Sequence, residues 1–210
     1  RYPGGKSRAV KHILPLIPED CGELCSPFLG GGSIELAVAD RGTKVYGYDI
    51  FAPLVWFWEA LLEDPEKILS YVERYRESVI NYTDDERIKN EISKVQGKDN
   101  DFRKLMEVMN GTTKGVSKLH FEDIRELVNT RAAKPKSEKL YRAAAQYYIV
   151  NRTSFSGATT SGGWSWKASW ARLTNSTLKN LKNFKVENFE VRHACFKESI
   201  ANHPDAFLYL

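Results

Sequence analysis

Short apolar runs and one amphipathic segment follow each other closely in the N-terminal part of the chain. Residues 24–28 form a mainly apolar run, and residues 30–32 are all glycine. Residues 33–41 have the spacing of an amphipathic helix that ends before Gly42, and residues 44–49 form a second strand pattern, apolar at its centre and ending at Asp49. We interpret this order as strand, tight turn, helix and strand. It is a βαβ unit, which predicts a parallel sheet with helices packed on it.

Helical periodicity dominates the middle of the chain. Apolar positions recur at helical spacing in five segments, at residues 65–80, 84–95, 101–109, 121–131 and 137–150. The last segment has the clearest pattern, because an apolar or aromatic side chain recurs every three or four residues, at Leu140, Ala143, Ala144, Tyr147 and Tyr148. We therefore expect a long, mainly helical region after the βαβ unit.

The pattern changes again after residue 150. Glycines and hydroxyl side chains over residues 151–170 predict a loop or hairpin, and a short helix is expected at residues 177–183. Strand patterns return at residues 189–196 and 207–210. The last run has no turn residue or polar cap after it, so we expect a strand that is interrupted at its tip.

Together these elements predict an α/β fold whose sheet is interrupted by a long helical insertion. A short helical pattern over residues 7–14, which stops at Pro15, precedes the βαβ unit. We expect residues 1–60 to form the first part of the α/β domain, residues 61–185 to form the insertion, and residues 186–210 to return to a sheet that is incomplete at its C-terminal end.

Composition narrows the class of protein. The 210 residues are 42% hydrophobic and 28% charged, which predicts a globular chain with one core. Apolar runs stay well below the roughly 18 residues of a membrane span, which argues against a membrane protein. The three cysteines include one closely spaced pair, Cys21 and Cys25, without a second pair at metal spacing. We therefore expect reduced thiols, no bound metal and a cytoplasmic location.

Charge is distributed unevenly. Residues 127–185 contain eleven lysines and arginines against Glu138 alone, a net charge of +10, whereas the whole chain carries +4 and the remainder therefore −6. Three of the five tryptophans, Trp164, Trp166 and Trp170, fall in the same basic segment. A solvated basic surface is one interpretation. Aromatic side chains among cations favour a second one, a nucleic acid whose phosphates and bases are both contacted.

The glycine turn and Asp49 are the candidate ligand-binding residues. Glycines after a strand let the backbone approach a ligand, although such a turn also occurs for purely structural reasons. Asp49 ends the next strand, where a carboxylate can accept both ribose hydroxyls of a nucleoside. Alternatively, Asp49 caps the following helix. Two further features allow two interpretations. Glu35 faces either the ligand or its own helix dipole, and Trp56, Phe57 and Trp58 are expected to pack in the core rather than to stack on a base.

Two phosphate-binding patterns are incomplete, which narrows the nucleoside. The fingerprint G-x-G-x-x-G requires a third glycine where this chain has Glu35, so NAD is disfavoured. The segment "GGKS" at residues 4–7 lacks the preceding strand and glycine of a P-loop, so ATP is disfavoured as well. S-adenosylmethionine carries no phosphate. Its ribose would be bound by Asp49, and its carboxylate by an ammonium group such as that of Lys6.

Five segments resemble the Dam-type, D12 class DNA adenine N6-methyltransferases: "YPGGK" at residues 2–6, "PFLGGGS" at 27–33, "YGYD" at 46–49, "NRTSFSG" at 151–157 and "ACFKESI" at 194–200. The resemblance covers nearly the whole chain. It implies a Rossmann-like methyltransferase fold with a target-recognition insertion, and transfer of a methyl group from S-adenosylmethionine to adenine N6 in duplex DNA. Companion restriction nucleases occur with such enzymes, whereas the oligomeric state is not encoded in these motifs.

The resemblance also implies roles for individual residues. It places Tyr2 and Lys6 at the methionine end of the cofactor, Phe28, Gly30 and Gly32 in the cofactor loop, Asp49 at the ribose and Phe196 beside the adenine ring. The expected DNA contacts in the insertion are Asn151, Arg152, Thr153, Trp164 and Lys167. Ser26 departs from the family, which often has an acid before Pro-Phe, and this leaves one expected polar contact unassigned.

The catalytic motif of the family, Asp-Pro-Pro-Tyr or a close variant, does not occur in the 210 residues. The resemblance places it at the end of the fourth strand, after Leu210, so we assign no catalytic residue within the chain. Two alternatives remain open. The first is a catalytically inactive DNA-binding module on a methyltransferase scaffold, and the second is a methyltransferase that acts on RNA or a small molecule.

Overall fold

The computed structural model describes residues 4–81, 114–131, 133–165, 168 and 171–210. The helices predicted at residues 84–95 and 101–109 lie outside these described residues, as do the side chains of Tyr2 and Lys167. None of the helices in the described part of the chain is both long enough and apolar enough to cross a membrane.

Four parallel strands form the sheet: β1 (Glu23–Ser26), β2 (Lys44–Asp49), β3 (Phe189–His193) and β4 (Phe207–Leu208). Their spatial order is β3-β2-β1-β4, with Leu24 aligned to Val45 on one side of β1 and to Phe207 on the other. This confirms the predicted βαβ unit and the predicted return of strands at the C-terminal end. It also confirms the α/β class.

Alternating strand residues separate the two faces of the sheet. Leu24 and Val45 face the main hydrophobic core, whereas Cys25 and Tyr48 belong to a smaller cluster on the opposite face. Two helices pack on the core face, α2 (Ser33–Ala39) and α3 (Ala52–Glu63). Because helices cover both faces of this parallel sheet, successive strand residues are buried, which explains the mainly apolar strand patterns in the sequence.

The N-terminal segment and the helical insertion supply the remaining helices. Before the sheet come α1 (Val10–Ile13) and a 3₁₀ turn (Leu14–Leu16). The insertion contains α4 (Pro65–Asn81), α5 (Lys114–Thr130), α6 (Glu138–Thr153), a second 3₁₀ turn (Phe155–Gly157) and α7 (Asn175–Lys182). Helix α8 (Phe196–Asn202) connects β3 to β4 and packs on the opposite face of the sheet from α3.

Helix α6 is the centre of the insertion. It packs against α3, α4 and α5, and the five positions that predicted it from the sequence are all buried. Because α3 itself packs on β2 and β3, the insertion is joined to the sheet through an α3–α6 contact. The basic segment is therefore attached to the α/β domain at the side where β2 ends.

The structure corrects several predicted boundaries. Helix α6 continues to Thr153, so Asn151, Arg152 and Thr153 lie in its last turn and not in a loop. No glycine or proline occurs between Glu138 and Gly157, so no residue in this segment stops the helix at residue 150. Strand β3 ends at His193 and Phe196 begins a helix, whereas the sequence had predicted a strand over residues 189–196. Helix α3 had not been predicted as a separate element.

Candidate functional site

The order of the strands places a crevice between β1 and β4. The chain runs from β1 outwards through β2 and β3 and then returns through α8 to β4 on the other side of β1. In open parallel sheets, ligands bind at such a switch point, beyond the carboxyl ends of the strands. Here these ends are the turn that follows Ser26 and the residues that follow Leu208.

The glycine loop after β1 has a backbone that only small residues tolerate. Gly30 and Gly32 have φ angles of +50° and +64°, in the left-handed region that glycine adopts without strain. A Cβ atom on Gly32 would lie 2.7 Å from Cζ2 of Trp58, and the indole Nε1 of Trp58 donates a 3.2 Å hydrogen bond to the Gly30 carbonyl. The buried Trp58 therefore stabilises the glycine loop by packing against Gly32 and by its hydrogen bond to Gly30.

Asp49, at the end of β2, binds this loop directly. Its Oδ2 accepts a 3.1 Å hydrogen bond from the Gly30 N–H, and its Oδ1 accepts a 2.9 Å hydrogen bond from the N–H of Phe51, the residue before α3. Both contacts are to backbone groups at a turn, so the helix-capping interpretation of Asp49 holds in part. A carboxylate has roughly four lone-pair sites, which leaves acceptor capacity on each oxygen for a ligand hydroxyl.

Ser26 and Glu35 form a buried pair where β1 meets α2. Only 3% of the Glu35 surface is exposed, and the Ser26 hydroxyl donates a 2.6 Å hydrogen bond to its Oε1. Burial raises the pKa of the Glu35 carboxyl, while hydrogen bonds from Ser26 and from the backbone of Glu35 and Ile34 lower it. Glu35 thus brings a carboxylate next to Ser26, the position at which the sequence left a polar contact unassigned.

Two phenylalanines predicted for the cofactor site are brought together at the sheet edge. Phe28 follows β1 and Phe196 begins α8, and their ring centroids are 6.0 Å apart at an interplanar angle of 26°. Phe28 is 61% exposed and Phe196 46%, which is unusual for rings of this size. Ile50, directly after Asp49, is also exposed. These apolar side chains offer a surface on which a flat ring can stack.

A cavity of about 400 Å³, which we name the switch-point cavity, lies at the crevice. Its walls are the N-terminal glycines with Lys6, the segment from Phe28 to Glu35, and Tyr209 and Leu210 after β4. Burial and the nearby Glu35 raise the pKa of the Tyr209 hydroxyl. The predicted residues Lys6, Phe28, Gly30 and Gly32 therefore line one cavity, whereas Asp49 and Phe196 are not among its lining residues.

A second cavity of about 600 Å³ lies on the other side of the glycine loop. It shares Gly30 and Gly31 with the switch-point cavity and extends to Phe57 on α3 and to Tyr148 and Arg152 on α6. The glycine loop thus separates one cavity at the sheet edge from another that is lined by the insertion. A molecule bound at this loop has the basic segment as its neighbour.

Two residues predicted to contact DNA have buried side chains that support the chain locally. The Asn151 amide donates hydrogen bonds of 3.0 Å to the Gly157 carbonyl and 3.1 Å to the Thr159 hydroxyl. The Thr153 hydroxyl is fully buried and donates to the Ile149 carbonyl in its own helix. Both side chains thus stabilise the end of α6 and the turn that follows it, and Asn151 also lines the second cavity beside Arg152. Their contact with DNA stays a prediction.

Three other side chains of this region, those of Arg152, Trp164 and Phe155, are less deeply buried. The Arg152 guanidinium lies over the Tyr148 ring, 4.9 Å from its centroid, at the rim of the second cavity. Trp164 is half-buried and pairs through its backbone with Ser154. Phe155, which the sequence analysis did not select, is 69% exposed and precedes Ser156, whose φ angle of +55° is rare for a residue with a side chain. The sequence feature that could have identified Phe155 is that it is an aromatic residue within a run of small polar residues.

A family model with the description D12 class N6 adenine-specific DNA methyltransferase matches residues 2–210. The chain belongs to this family. As a D12 class methyltransferase it is an enzyme that acts on adenine in DNA, and its reaction requires a methyl donor. A search of curated proteins found no match to the chain. The family match confirms the resemblance that the five sequence segments indicated.

Proposed function

We propose that this protein uses S-adenosylmethionine as its methyl donor, bound across the switch-point cavity and the adjoining ends of β2 and α8, and that it methylates adenine N6 in duplex DNA bound by the basic insertion. The observation that supports this most strongly is the hydrogen bond between Asp49 and the Gly30 N–H, which joins the ends of β1 and β2 at a ligand-binding edge of the sheet. S-adenosylmethionine supplies a methyl group on a positively charged sulfur. The protein supplies binding and orientation.

The proposed donor orientation follows the chemistry of the lining groups. The remaining lone pairs of Asp49 accept the two ribose hydroxyls, and the exposed rings of Phe28 and Phe196 contact the adenine. The Lys6 ammonium, on the wall of the switch-point cavity, binds the carboxylate of the amino-acid end. Tyr2 is proposed for the same end of the donor on the basis of the sequence resemblance alone, since it lies outside the described residues.

The reaction constrains what must surround the adenine. The N6 lone pair is delocalised into the ring, so the amino group needs acceptors for its hydrogens and an in-line approach to the methyl group. Reaching this atom in a duplex also requires that the base leave the helical stack. We assign the DNA-facing part of this task to Arg152, Phe155 and Trp164, and we propose Lys167 on sequence grounds.

A direct test uses purified protein whose sequence includes the Asp-Pro-Pro-Tyr motif that the resemblance places after Leu210, labelled S-adenosylmethionine, and two duplexes, one containing adenine and one of poly(dG)·poly(dC). We expect saturable binding of the donor, displacement by S-adenosylhomocysteine, and label at N6 of adenine in the first duplex only. Absence of donor binding would contradict the proposed cofactor. Binding of both donor and DNA without transfer would favour the inactive module, and preferential labelling of RNA would favour an RNA methyltransferase.

DNA binding by the insertion is expected to depend steeply on salt. Because each phosphate contact releases counterions, Arg152→Ala should reduce the slope of log K against log salt by about 0.9. Phe155→Ala should weaken binding without changing this slope, since an aromatic ring that contacts bases carries no charge. Arg41→Ala, an exposed arginine outside the basic segment, is the control. A slope that is the same in wild type and Arg152→Ala would contradict the assignment of Arg152.

Two further proposals concern the surroundings of the protein. We propose a cytoplasmic location, which agrees with three free cysteines. A companion restriction nuclease that acts at the same DNA sequence is proposed from the resemblance to the family. The division into residues 1–60, 61–185 and 186–210 stays a prediction.

A further inference from the structure

Glu35 is a buried carboxylate in the wall of a cavity. It lies in α2, with 3% of its surface exposed, and it lines the switch-point cavity together with Lys6 and the glycine loop. Among the side chains that the structure describes, the one that donates to Glu35 is that of Ser26, which is fully buried. Within the described residues, Glu35 takes part in no ion pair, although several exposed glutamates do, such as Glu138 with Lys67.

Such a group is costly for the fold. Transfer of a carboxylate out of water is unfavourable unless a cation or several hydrogen bonds compensate for the lost hydration. One neutral hydroxyl and backbone N–H groups compensate for part of this loss, and burial accordingly raises the pKa of the Glu35 carboxyl. A neutral side chain of similar shape would pack in the same place without this cost, so the carboxylate calls for an explanation in terms of a ligand.

The chemistry of the switch-point cavity identifies a ligand group. An ammonium on the cavity side of Glu35 would complete the coordination of its carboxylate by a charge-assisted hydrogen bond. Lys6, on another wall of the same cavity, carries the opposite charge and suits an anionic group. One acid and one base on two walls of a cavity of about 400 Å³ match a zwitterion, that is, an amino acid with a free amino group and a free carboxylate.

We propose that the Glu35 carboxylate binds the α-ammonium group of the amino-acid end of the methyl donor, and that Ser26 positions this carboxylate. The proposal rests on the proposed function, in which the donor is S-adenosylmethionine. Glu35 is then a specificity-determining residue: it distinguishes ligands that carry the α-amino group from ligands that lack it. Ser26 acts through Glu35, because its hydroxyl donates to Oε1 and so orients the carboxylate.

The experiment compares two ligands on the same protein by calorimetry. They are S-adenosylhomocysteine and 5′-deoxy-5′-(3-carboxypropylthio)adenosine, which differ only by hydrogen in place of the α-amino group. Wild-type protein is expected to prefer S-adenosylhomocysteine by about 10- to 100-fold, as expected when one charge-assisted hydrogen bond is removed from a buried site. In Glu35→Gln this preference should fall to about threefold or less, because the ammonium then meets a neutral amide.

Two control variants distinguish binding of the ammonium group by Glu35 from a purely structural role of Glu35. Glu73→Gln makes the same chemical change at an exposed position of α4 and should keep the wild-type preference. Ser26→Ala retains the carboxylate but loses its orienting hydroxyl, and should show an intermediate preference. The ratio of the two dissociation constants is measured within each variant, so a smaller folded fraction does not imitate the effect.

The outcomes distinguish this proposal from the proposed function. If wild-type protein binds neither ligand, the assignment of S-adenosylmethionine as donor is wrong. If it binds both with equal affinity, the donor assignment stands and the role of Glu35 is refuted. An unchanged preference in Glu35→Gln would also refute it and would leave Glu35 as a structural link between β1 and α2.

Discussion

Replacing Trp58 by alanine should lower the free energy of unfolding by about 3–5 kcal/mol and also weaken binding of the methyl donor. Trp58 is 5% exposed, and its ring contacts Phe57, Phe184 and Phe189. Its truncation therefore opens a large cavity beneath the glycine loop. The same change removes the hydrogen bond to the Gly30 carbonyl, so the loop loses both its packing and its polar anchor. Chemical denaturation and calorimetry with S-adenosylhomocysteine measure the two effects.

Trp56 provides a matched control for this prediction. It is equally buried, in the same helix α3, but it does not line either cavity beside the glycine loop. Trp56→Ala should therefore cost a similar amount of stability and leave donor affinity of the folded protein nearly unchanged. Trp58→Phe should recover much of the stability but not the hydrogen bond. Equal loss of donor affinity in Trp56→Ala and Trp58→Ala would mean that the loop is not specifically supported by Trp58.

The second large effect is expected at Asp49. Asp49→Ala should reduce donor affinity by about 10- to 100-fold, because a charged acceptor of ribose hydroxyls is lost. The Gly30 N–H also loses its acceptor, so the glycine loop becomes less ordered and adds to the loss. Asp49→Asn retains one carbonyl oxygen as acceptor and should fall between wild type and Asp49→Ala.

A second ligand separates the two contributions, loss of the ribose acceptor and loss of order in the glycine loop. Calorimetry with S-adenosylhomocysteine and with its 2′-deoxy analogue shows whether the effect passes through a ribose hydroxyl. In wild-type protein the analogue should bind more weakly, whereas in Asp49→Ala the two should bind alike. Asp40→Ala, at an exposed carboxylate after α2, should behave as wild type. Wild-type affinity in Asp49→Ala would contradict the assignment of the ribose to Asp49.

Local patterns were sufficient to predict the secondary-structure elements that surround the switch-point cavity. The glycine run between two apolar strands predicted the βαβ unit, and the spacing of Leu140 and Tyr147 predicted α6, because strand and helix periods are written into neighbouring residues. The position of Asp49 at the end of β2 also followed from the sequence alone. The periodicity of apolar residues within a short segment is enough to predict which of its residues face the core.

Contacts between distant segments were decided by the tertiary structure. Sequence did not distinguish Trp58, which supports the glycine loop, from Trp56, since both are large apolar residues of one helix and only packing shows which one lies under Gly32. The predicted contact of Asn151 and Thr153 with DNA stays a prediction, and the tertiary structure adds that both side chains form hydrogen bonds within the protein.

The sequence by itself determined the class of fold, the strand, loop and helix that hold the glycine motif, and the family to which the chain belongs, because each depends on residue types at fixed local spacing. The tertiary structure alone decided that Glu35 is buried against Ser26 and faces the same cavity as Lys6. Burial and partnership arise when segments that are far apart along the chain are packed together. A pattern of apolar and polar positions records which residues avoid water, but not which residues they meet.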